Sequence, residues 1–257
     1  MSSVICPLSI VPVRKEPNDR AEMVSQWLFG ETAEVLERQE KWSKLLFDHD
    51  GYEGWVDNKQ LVECLTPNQD PDLRVIDQTS LVDLGERQVL LPYGSVLPFM
   101  KDGSILWQGH RVPVSAVTNK NTVGDRSDLI EAYIHPFLGA PYLWGGRTPS
   151  GVDCSGFTQL VFMLMGIYLQ RDAYQQAEEG DQVEFVDLAI TGDLAFFDNA
   201  EGKITHVGIV LRRDKEAPAE IVHASGRVRI DGLDQQGIFD AEAKQYSHKL
   251  RLIKRIA

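Results

Sequence analysis

The sequence predicts an α+β protein, with small β-barrels in the N-terminal half and a C-terminal domain that combines a cysteine-bearing helix with antiparallel strands. Three observations predict this class. Short apolar runs separated by turn residues fill most of residues 1–118. A glycine-rich segment at 141–156 leads into apolar residues at helical spacing, and two later apolar runs each carry one histidine.

Four apolar runs near the N-terminal end predict strands: residues 10–13, 32–36, 42–47 and 52–56. Turn residues such as Asp-His-Asp-Gly at 48–51 separate these runs. Because the strands are short and each is followed by a turn signal, they indicate a small β-barrel over residues 1–65.

The next part of the chain repeats this pattern more weakly. Residues 66–71 are rich in proline, asparagine and aspartate, which predicts a linker. Residues 72–118 contain further short apolar runs and turn signals, including Leu-Leu-Pro-Tyr-Gly-Ser at 90–95, and predict a second, diverged barrel. A short polar segment then connects this barrel to the C-terminal domain, residues 125–257.

Cys154 stands directly after the glycine-rich segment, at or near the beginning of a predicted helix. Apolar residues between 157 and 169 recur at helical spacing. Unpaired N–H groups and the helix dipole at a helix N-terminus favour a thiolate, which is the nucleophilic form of cysteine. The preceding glycines allow another chain to approach closely. The pattern indicates a catalytic cysteine, and a cysteine that only packs in the core is the alternative.

Three apolar runs after this helix predict strands: residues 192–198, 206–211 and 220–225. A polar, proline-containing segment joins the last two as a hairpin. On neighbouring antiparallel strands, His206 and His223 fall close to opposite each other. With Cys154, they can supply the nucleophile, the base and the residue that orients the base.

The same cysteine and histidines offer a second interpretation, because a Cys/His/His set can bind zinc together with a water molecule. The local pairs typical of zinc sites, two close cysteines or His-Glu-x-x-His, do not occur in the sequence. The spacing therefore argues against a zinc site, and acyl transfer by a cysteine and a histidine would need neither a metal nor an organic cofactor.

The motifs of the C-terminal domain occur in an order that resembles a known family. Tyr-x-Trp-Gly-Gly at 142–146 precedes Asp-Cys-Ser-Gly at 153–156, and Gly-Asp-Leu follows at 192–194. His-Val-Gly-Ile at 206–209 and His-Ala-Ser at 223–225 complete the set. Through these motifs the domain resembles the NlpC-type papain-like cysteine peptidases of bacteria. The resemblance implies a papain-like fold, in which the helix that bears the cysteine packs on an antiparallel sheet.

This resemblance also implies a role for each residue of the predicted site. Cys154 is the nucleophile, His206 is the general base and acid, and His223 is the polar residue that orients His206. Tyr142 matches the family tyrosine whose hydroxyl helps the backbone N–H of Cys154 to stabilise the oxyanion. Such a donor is worth about 3 kcal/mol in the transition state. A tyrosine that only packs is the alternative for Tyr142.

The first barrel matches a known type as well. Arg-x-x-Pro at 14–17, Glu-Met-Val-Ser-Gln at 22–26 and Gly-Tyr-x-Gly-Trp-Val at 51–56 resemble bacterial SH3-like domains. Two SH3-like barrels before an NlpC-type domain resemble the γ-D-glutamyl-L-diamino acid endopeptidases. This resemblance implies hydrolysis of the bond between D-glutamate and a diamino acid, in murein peptides with a free N-terminal L-alanine.

In that family the first barrel closes one end of the cleft and binds the substrate amine. Tyr52 corresponds to the family tyrosine that contacts the amine, Asp172 corresponds to its acidic partner, and Glu22 is the expected second carboxylate. A buried ammonium needs anionic and hydrogen-bonding partners of this kind. Ala173 departs from the serine that the resemblance implies. A solvated surface charge, a helix cap and simple packing are the alternative roles.

Three residues of the segment around the nucleophile are further candidates for substrate binding. Asp153 and Ser155 flank Cys154, and we expect them to hold the D-glutamyl part of the substrate. Arg147 could pair with a substrate carboxylate, but a structural role is the stronger expectation for an arginine in a loop.

Composition and charge exclude several classes of function. The formal net charge of −12 at pH 7 argues against nucleic acid and anionic membranes as partners. Residues 1–13 lack a basic region and contain two prolines, so no secretory signal is predicted, and no apolar run approaches the roughly 18 residues of a membrane span. Three cysteines imply no complete disulfide framework. We therefore expect a cytoplasmic monomer with reduced thiols.

In the cytoplasm, such an enzyme would recycle imported small murein peptides such as L-Ala-γ-D-Glu-diaminopimelate. Two alternatives stay open. One is another acyl-transfer enzyme on the same scaffold, an amidase or a transferase. The other is a protein that binds cell-wall peptides without catalysis. The sequence does not distinguish diaminopimelate from lysine as the preferred diamino acid.

Overall fold

The structure is a computed structural model and describes residues 2–64, 73–214 and 216–257. The chain divides into two compact units, each built from several segments of the sequence. The first unit comprises Met1–Thr122, Trp144–Thr148 and Met163–Tyr168. The second unit comprises Val123–Leu143, Pro149–Phe162 and Leu169–Ala257. The predicted division into domains at 1–65, 72–118 and 125–257 stays a prediction, and the predicted linker at 66–71 lies outside the described residues.

The first unit contains an antiparallel seven-stranded sheet in the order β3-β2-β6-β5-β4-β1-β7. Its strands are β1 (Ser3–Ile5), β2 (Ile10–Arg14), β3 (Met23–Leu28), β4 (Thr32–Arg38), β5 (Trp42–Phe47), β6 (Glu53–Asp57) and β7 (Val62–Glu63). Alternate residues of β5 point into the core, as the alternating sequence predicts. The four predicted strands are confirmed as β2, β4, β5 and β6, whereas β1, β3 and β7 were not predicted as strands.

Side chains from these strands form a core around Trp27, which is fully buried. Val11, Val13, Leu45 and Phe47 pack in the same cluster, and the rings of Trp27 and Phe47 meet edge to face with centroids 5.8 Å apart. This burial of apolar side chains is the main stabilising contribution to the sheet.

The rest of the first unit, up to residue 122, contains two small antiparallel pairs. They are formed by β8 (Leu81–Asp83) with β9 (Gln88–Leu90), and by β10 (Ser104–Trp107) with β11 (His110–Pro113). Phe29, which directly follows β3, packs among the apolar residues of this segment and stacks on Trp107 with ring centroids 5.0 Å apart. Each part of the first unit therefore has its own apolar cluster, and Phe29 links the first sheet to the cluster of the second part. The second SH3-like barrel at 72–118 stays a prediction.

The described residues form three α-helices: α1 (Arg126–Ile134), α2 (Cys154–Met163) and α3 (Ala173–Gln176). All three belong to the second unit except for Met163, the last residue of α2. Four short 3₁₀ turns occur in the described residues: Asn58–Gln60, Asn119–Asn121, His135–Phe137 and Val186–Leu188. Asp125 begins α1, because its carboxylate accepts hydrogen bonds from the N–H groups of Ser127 and Asp128 at 2.9 and 3.0 Å.

Helix α2 begins where the sequence predicts and ends earlier. The predicted helical periodicity extends to residue 169, but the helix ends at Met163. The physical reason is a turn in which the Gly166 N–H donates to the Met163 carbonyl at 3.0 Å, with Gly166 at a φ of +79°. Glycine adopts this left-handed conformation without steric cost. The apolar residues after Met163 therefore pack outside the helix, and the predicted helix end is wrong.

The second unit also contains an antiparallel sheet in the order β14-β20-β15-β16-β17-β18-β19. Its strands are β14 (Asp181–Val183), β15 (Leu194–Asp198), β16 (Ile204–Leu211), β17 (Glu220–Ser225), β18 (Arg227–Asp234), β19 (Gly237–Asp240) and β20 (Gln245–Arg255). Two further short strands lie outside this sheet: β12 (Arg147–Thr148), which belongs to the first unit, and β13 (Gly151–Val152), which belongs to the second. The three predicted strands of this domain, β15, β16 and β17, are confirmed.

Strand β20 closes this sheet because it pairs with both β19 and β15. Its first half pairs with β19, with Ile238 opposite His248, and its second half pairs with β15, with Leu194 opposite Lys254. Six strands therefore form a continuous ring of hydrogen-bonded neighbours, which removes the free edges that would otherwise remain. This closure brings His248 of β20 into the neighbourhood of β16 and β17.

Candidate active site

Cys154 is the first residue of α2, and the residue before it fixes that position. The Asp153 carboxylate accepts a hydrogen bond from the Gly156 N–H at 2.7 Å, and the Asp153 carbonyl accepts from Phe157 at 3.0 Å. Asp153 is therefore the N-cap of the helix. The Cys154 side chain is buried, with 6% of its surface exposed, and its Sγ lies 4.0 Å from the Thr205 carbonyl oxygen.

Burial decides the protonation state of this thiol. Removal from water raises the pKa of Cys154 to about 12, and the negative charge of Asp153 acts in the same direction. Backbone N–H groups and Arg171 oppose the shift without reversing it. The predicted position at a helix N-terminus is confirmed, whereas burial favours the neutral thiol over the predicted thiolate in the free protein. Attack by Cys154 therefore calls for a base that takes up the proton of the thiol.

The two predicted histidines lie in contact on neighbouring strands. The His206 Nε2 lies 2.8 Å from the His223 Nδ1. In the register of β16 and β17, His223 stands opposite Gly208, so His206 is its diagonal neighbour on the same face of the sheet. A Cβ on Gly208 would lie 2.9 Å from the Cβ of His223. Glycine at position 208 therefore leaves room for the histidine pair.

A carboxylate that sequence reasoning missed completes this chain of hydrogen bonds. The Asp231 Oδ2 lies 3.0 Å from the His223 Nε2, and the Arg229 Nη2 donates to the other oxygen of Asp231 at 2.8 Å. A carboxylate only accepts, so the His223 Nε2 carries its hydrogen and the His223 Nδ1 accepts from the Nε2–H of His206. The Nδ1 of His206 is then the free basic nitrogen.

A third histidine, His248 of β20, also belongs to this cluster and was not predicted. Its ring stacks on that of His206, with centroids 4.2 Å apart and planes inclined by 21°. Phe197 contacts both rings, at centroid distances of 5.8 and 6.0 Å. The one signal in the sequence is a histidine within an alternating C-terminal strand, and that signal does not indicate which strands lie beside it.

Burial keeps these imidazoles neutral. Desolvation lowers the pKa of His206 well below its ordinary value, and it lowers that of His248 to about 4. The pKa of His223 is lowered by desolvation too, although the hydrogen bond to Asp231 opposes the shift. At neutral pH, burial therefore favours the neutral imidazole form of these histidines.

Asp153 and Ser155, the predicted holders of the D-glutamyl group, share a buried partner. The Arg171 Nη2 and Nη1 donate to the two Asp153 oxygens at 2.6 and 3.1 Å, and Nη1 donates to the Ser155 hydroxyl at 3.0 Å. Arg171 is 1% exposed. The structure thus brings Asp153 and Ser155 together on an arginine that sequence reasoning did not select. Their contact with substrate stays a prediction.

Tyr142 is half-buried in the same unit as Cys154. Its N–H donates to the Gly226 carbonyl at 3.0 Å, and it forms an isolated parallel bridge with Val152. Burial raises the pKa of Tyr142, and negative charge on Cys154 or Asp153 would raise it further. The hydroxyl therefore keeps its proton and is available as a donor. Its role toward an oxyanion stays a prediction.

Asp172 lies at the beginning of α3, where it is the N-cap residue. Its N–H donates to the side chain of Gln175 at 3.1 Å. Burial raises the pKa of Tyr174, and a hydrogen bond to Asp172 contributes to that shift. Asp172 therefore has a structural role, which was the alternative for this residue, and its contact with a substrate amine stays a prediction.

Glu22 and Tyr52, the other two predicted amine ligands, lie in the first unit. The Glu22 carboxylate accepts a hydrogen bond from the indole N–H of Trp144 at 2.8 Å and pairs with Lys15 at 3.3 Å. The half-buried ring of Tyr52 packs against the core of the first sheet. Both contacts are local to the first unit, and the binding of an amine stays a prediction.

Arg147 of the glycine-rich segment has a structural role. It is fully buried, and its guanidinium donates to both oxygens of Glu31, at 2.9 and 3.0 Å, and to the Gln26 carbonyl at 2.7 Å. Arg74 binds the same carboxylate at 2.9 Å. Burial disfavours the Glu31 carboxylate, but Arg147, His49 and Arg74 together lower its pKa. Pairing of Arg147 with a substrate carboxylate is therefore excluded in this conformation.

No helix in the described part of the chain is both long and apolar enough to cross a membrane. Two family models match the sequence. Residues 139–246 match the NlpC/P60 family, and residues 13–61 match the bacterial dipeptidyl-peptidase Sh3 domain. The first match covers the motif that carries Cys154 and the strands that carry His206 and His223.

Two curated relatives carry the same name, γ-D-glutamyl-L-lysine dipeptidyl-peptidase. The one from Bacillus subtilis is 32% identical over 203 residues, which are 72% of this chain and 68% of the relative. The one from Bacillus cereus is 27% identical over 227 residues, which are 74% of this chain and 65% of the relative. The chain thus spans about two thirds of the length of each relative.

A solved structure supports the fold. The crystal structure of an NlpC/P60 family protein from Bacillus cereus aligns over 99% of both chains with a TM-score of 0.75 at 20% sequence identity. The fold is accordingly a papain-like one with an N-terminal SH3-like domain. With a cysteine at a helix N-terminus and a His–His–Asp chain in place, the protein belongs to the NlpC/P60 family of peptidases and carries the SH3 domain of bacterial dipeptidyl-peptidases.

Proposed function

We propose that this protein is a cysteine endopeptidase that hydrolyses the bond between γ-D-glutamate and an L-diamino acid in murein peptides with a free N-terminal L-alanine. The observation that carries the proposal is the hydrogen-bond chain from Asp231 through His223 to His206, in the same unit as a cysteine at a helix N-terminus. The names of the two relatives support the choice of substrate bond.

In the proposed mechanism the thiol loses its proton as it attacks. The Cys154 Sγ forms a bond to the γ-carbonyl carbon of D-glutamate, while its proton moves to the Nδ1 of His206. Because burial favours the neutral thiol and the neutral imidazole in the free protein, this transfer accompanies the attack on the substrate. The Cys154 N–H and the Tyr142 hydroxyl donate to the resulting oxyanion.

Breakdown of this intermediate releases the diamino acid. The C–N bond breaks, and His206 gives its proton to the leaving amine, which leaves a thioester on Cys154. His206 then takes a proton from a water molecule that attacks the thioester. The C–S bond breaks, the sulfur is reprotonated, and the γ-carboxylate of D-glutamate is freed. His223 and Asp231 hold the imidazole in the required tautomer throughout.

Recognition of the free amine is assigned in this proposal to Glu22, Tyr52 and Asp172, and recognition of the D-glutamyl part to Asp153 and Ser155. A free-amine requirement would protect the intact precursor of the cell wall, whose alanine is acylated. The biological task would then be the recycling of small wall peptides in the cytoplasm, with the monomer as the active form.

The test is mass spectrometry of L-Ala-γ-D-Glu-meso-diaminopimelate after incubation with the protein, beside the corresponding L-lysine peptide and the N-acetylated form of each. Cys154→Ala is the inactive variant, and Cys64→Ala is its matched control because Cys64 has no part in the mechanism. We expect release of L-Ala-D-Glu from free-amine peptides by the wild type and by Cys64→Ala, and none by Cys154→Ala.

Other outcomes discriminate between the parts of the proposal. Cleavage of acetylated and free peptides alike would contradict the amine recognition by Glu22, Tyr52 and Asp172. Cleavage by Cys154→Ala would contradict the nucleophile. Absence of cleavage in every peptide would contradict the substrate, and would favour either another acyl-transfer reaction or a binding protein.

A further inference from the structure

Three histidines converge in the second unit although the proposed mechanism uses only two. His206, His223 and His248 come from three different strands, β16, β17 and β20. Each offers one ring nitrogen, and these three nitrogens lie within 4.8 Å of one another. Three imidazoles with a water molecule form a well-known donor set for Zn²⁺, and imidazole also suits Cu²⁺ and Ni²⁺.

The hydrogen bonds around the cluster leave suitable nitrogens for a metal ion. The His223 Nε2 pairs with Asp231 at 3.0 Å, which leaves Nδ1 as the ligand nitrogen. The His248 Nδ1 pairs with the Ser247 hydroxyl at 2.9 Å, which leaves Nε2. Metal-binding histidines commonly donate their second nitrogen to a carboxylate in this way, which orients the ring and raises its basicity.

The charges near the cluster suit a divalent cation. Asp231 is held by Arg229, which in turn binds Asp240 at 3.0 and 3.1 Å. These three groups carry one positive and two negative charges, so the cluster lies beside a net negative charge.

We propose that His206, His223 and His248 bind one Zn²⁺ ion through one nitrogen each, and that the zinc-bound protein is inactive as a peptidase. The binding stands on the cluster itself, whereas the inactivation rests on the proposed function. The metal is an inhibitor in this proposal and takes no part in the reaction, so catalysis without a metal is still expected.

Only a small rearrangement is needed to admit the ion. The His206 Nε2 and the His223 Nδ1 are 2.8 Å apart, whereas two nitrogens on a tetrahedral zinc ion are about 3.3 Å apart. The pair must open by roughly 0.5 Å, and the His248 nitrogen, which lies within 4.8 Å of the other two, must come to the same separation from them. His248 is only partly buried, so its side chain can make this movement.

Zinc binding would inactivate the peptidase because it changes which ring nitrogen of His206 carries the hydrogen. To bind zinc, the Nε2 of His206 must give up the hydrogen that it donates to His223. The neutral ring then carries its hydrogen on Nδ1, the nitrogen that takes the proton of Cys154 in the proposed mechanism. A ring protonated on Nδ1 cannot accept that proton, so zinc removes the base without any contact with the substrate.

The first experiment measures binding without reference to activity. The metal-free full-length protein is titrated with Zn²⁺ by calorimetry, and with Co²⁺ by visible absorption, which reports the coordination of the ion. The variants are His248→Phe, which keeps a ring for stacking on His206, and His135→Phe, a matched control at an exposed histidine outside the cluster. Thermal melting of each variant confirms that it is folded.

We expect one Zn²⁺ per chain, an affinity reduced by about 10-fold or more in His248→Phe, and no change in His135→Phe. Absence of saturable binding, or equal affinity in His248→Phe and wild type, would overturn the proposal. A metal held by the thiolate instead would give a sulfur-to-cobalt charge-transfer band and would be lost in Cys154→Ala, which would overturn it as well. Binding retained in Cys154→Ala supports the three-histidine site.

The second experiment measures inhibition. The rate of peptide hydrolysis is measured with increasing Zn²⁺ and then with a chelator, and each variant is compared with its own metal-free rate. We expect reversible inhibition of the wild type, and a midpoint about 10-fold higher or more in His248→Phe. Zinc binding at the histidines without inhibition would overturn the inhibitory role, whereas a protein that binds zinc but cleaves no peptide would contradict the proposed function alone.

Discussion

The imidazoles of His206 and His223 meet edge to face, with the Nε2 of His206 2.8 Å from the Nδ1 of His223 and ring planes inclined by 82°. In this geometry the Nε2–H of His206 points at the lone pair of His223. The contact therefore selects one tautomer of His206 and leaves its Nδ1 as the base. The orientation of the base depends on an acceptor at position 223, whatever residue supplies it.

Replacement of His223 tests this dependence. We expect His223→Phe to lower kcat by about 10²- to 10⁴-fold with little change in KM, because the ring of His206 loses its acceptor while the substrate contacts remain. His223→Asn should retain more activity than His223→Phe, since its amide oxygen can accept from His206. Steady-state kinetics on the free-amine peptide provide both constants. Wild-type kcat in His223→Phe would contradict the assigned role.

Asp231 acts on His206 indirectly, through its hydrogen bond to His223. In Asp231→Asn the amide oxygen would face Arg229 and the amide N–H₂ would face the His223 Nε2, which forces the hydrogen of His223 onto Nδ1. His223 would then no longer accept from His206. We expect kcat to fall by about 10²-fold or more, as for a catalytic histidine held in the wrong tautomer.

Asp240→Asn is the matched control for this experiment. Asp240 also binds Arg229, at 3.0 and 3.1 Å, but has no hydrogen bond to a histidine of the site in the described residues. We expect a smaller loss of kcat than in Asp231→Asn. Equal losses in the two variants would indicate that Arg229 and local packing are the cause, and the assigned tautomer role of Asp231 would fail.

The sequence predicts the parts of this site that depend on local pattern. The apolar spacing after residue 157 and the glycine-rich segment before Cys154 place the cysteine at a helix N-terminus, where the structure has it. The hairpin that pairs β16 with β17 places His206 beside His223, because the side-chain period of two fixes which residues share a face.

The partners that sequence reasoning missed come from longer-range contacts. His248 reaches His206 only because β20 closes the sheet, and alternation along one strand does not reveal the order of strands. Arg171 meets Asp153 across 18 positions of the chain. The effect of burial on the Cys154 thiol was also missed, because the position at a helix N-terminus is visible in the sequence whereas the degree of burial is not.

The buried ion pair between Arg171 and Asp153 predicts a large effect on stability. The two side chains are 1% and 8% exposed and lie 2.6 Å apart. Removal of one partner leaves an uncompensated buried charge, so we expect Arg171→Met and Asp153→Ala each to lower the free energy of unfolding by about 3–5 kcal/mol. The double variant should lose less than the sum of the two single losses.

Urea unfolding followed by circular dichroism measures these differences. The matched control is Lys15→Met, which removes an exposed ion pair with Glu22 whose side chains are 66% and 40% exposed. An exposed pair contributes about 0–1 kcal/mol, so this variant should unfold close to the wild type. Additive losses in the Arg171/Asp153 double variant would show that the two residues stabilise the fold independently, contrary to this prediction.

The lowered pKa values of the histidine cluster predict a stability that depends on pH. Burial lowers the pKa of His206, His223 and His248 below the value of about 6.5 in an unfolded chain, and that of His248 to about 4. Below about pH 6.5 these histidines bind protons in the unfolded chain but stay neutral in the folded protein. The free energy of unfolding therefore falls as the pH falls. Each histidine that stays neutral contributes a slope of up to about 1.4 kcal/mol per pH unit.

Urea unfolding between about pH 7 and about pH 5 measures this slope, which should be shallower in His248→Phe than in the wild type or in His135→Phe. An equal slope in His248→Phe and wild type would mean that His248 takes up its proton as readily in the folded protein as in the unfolded chain.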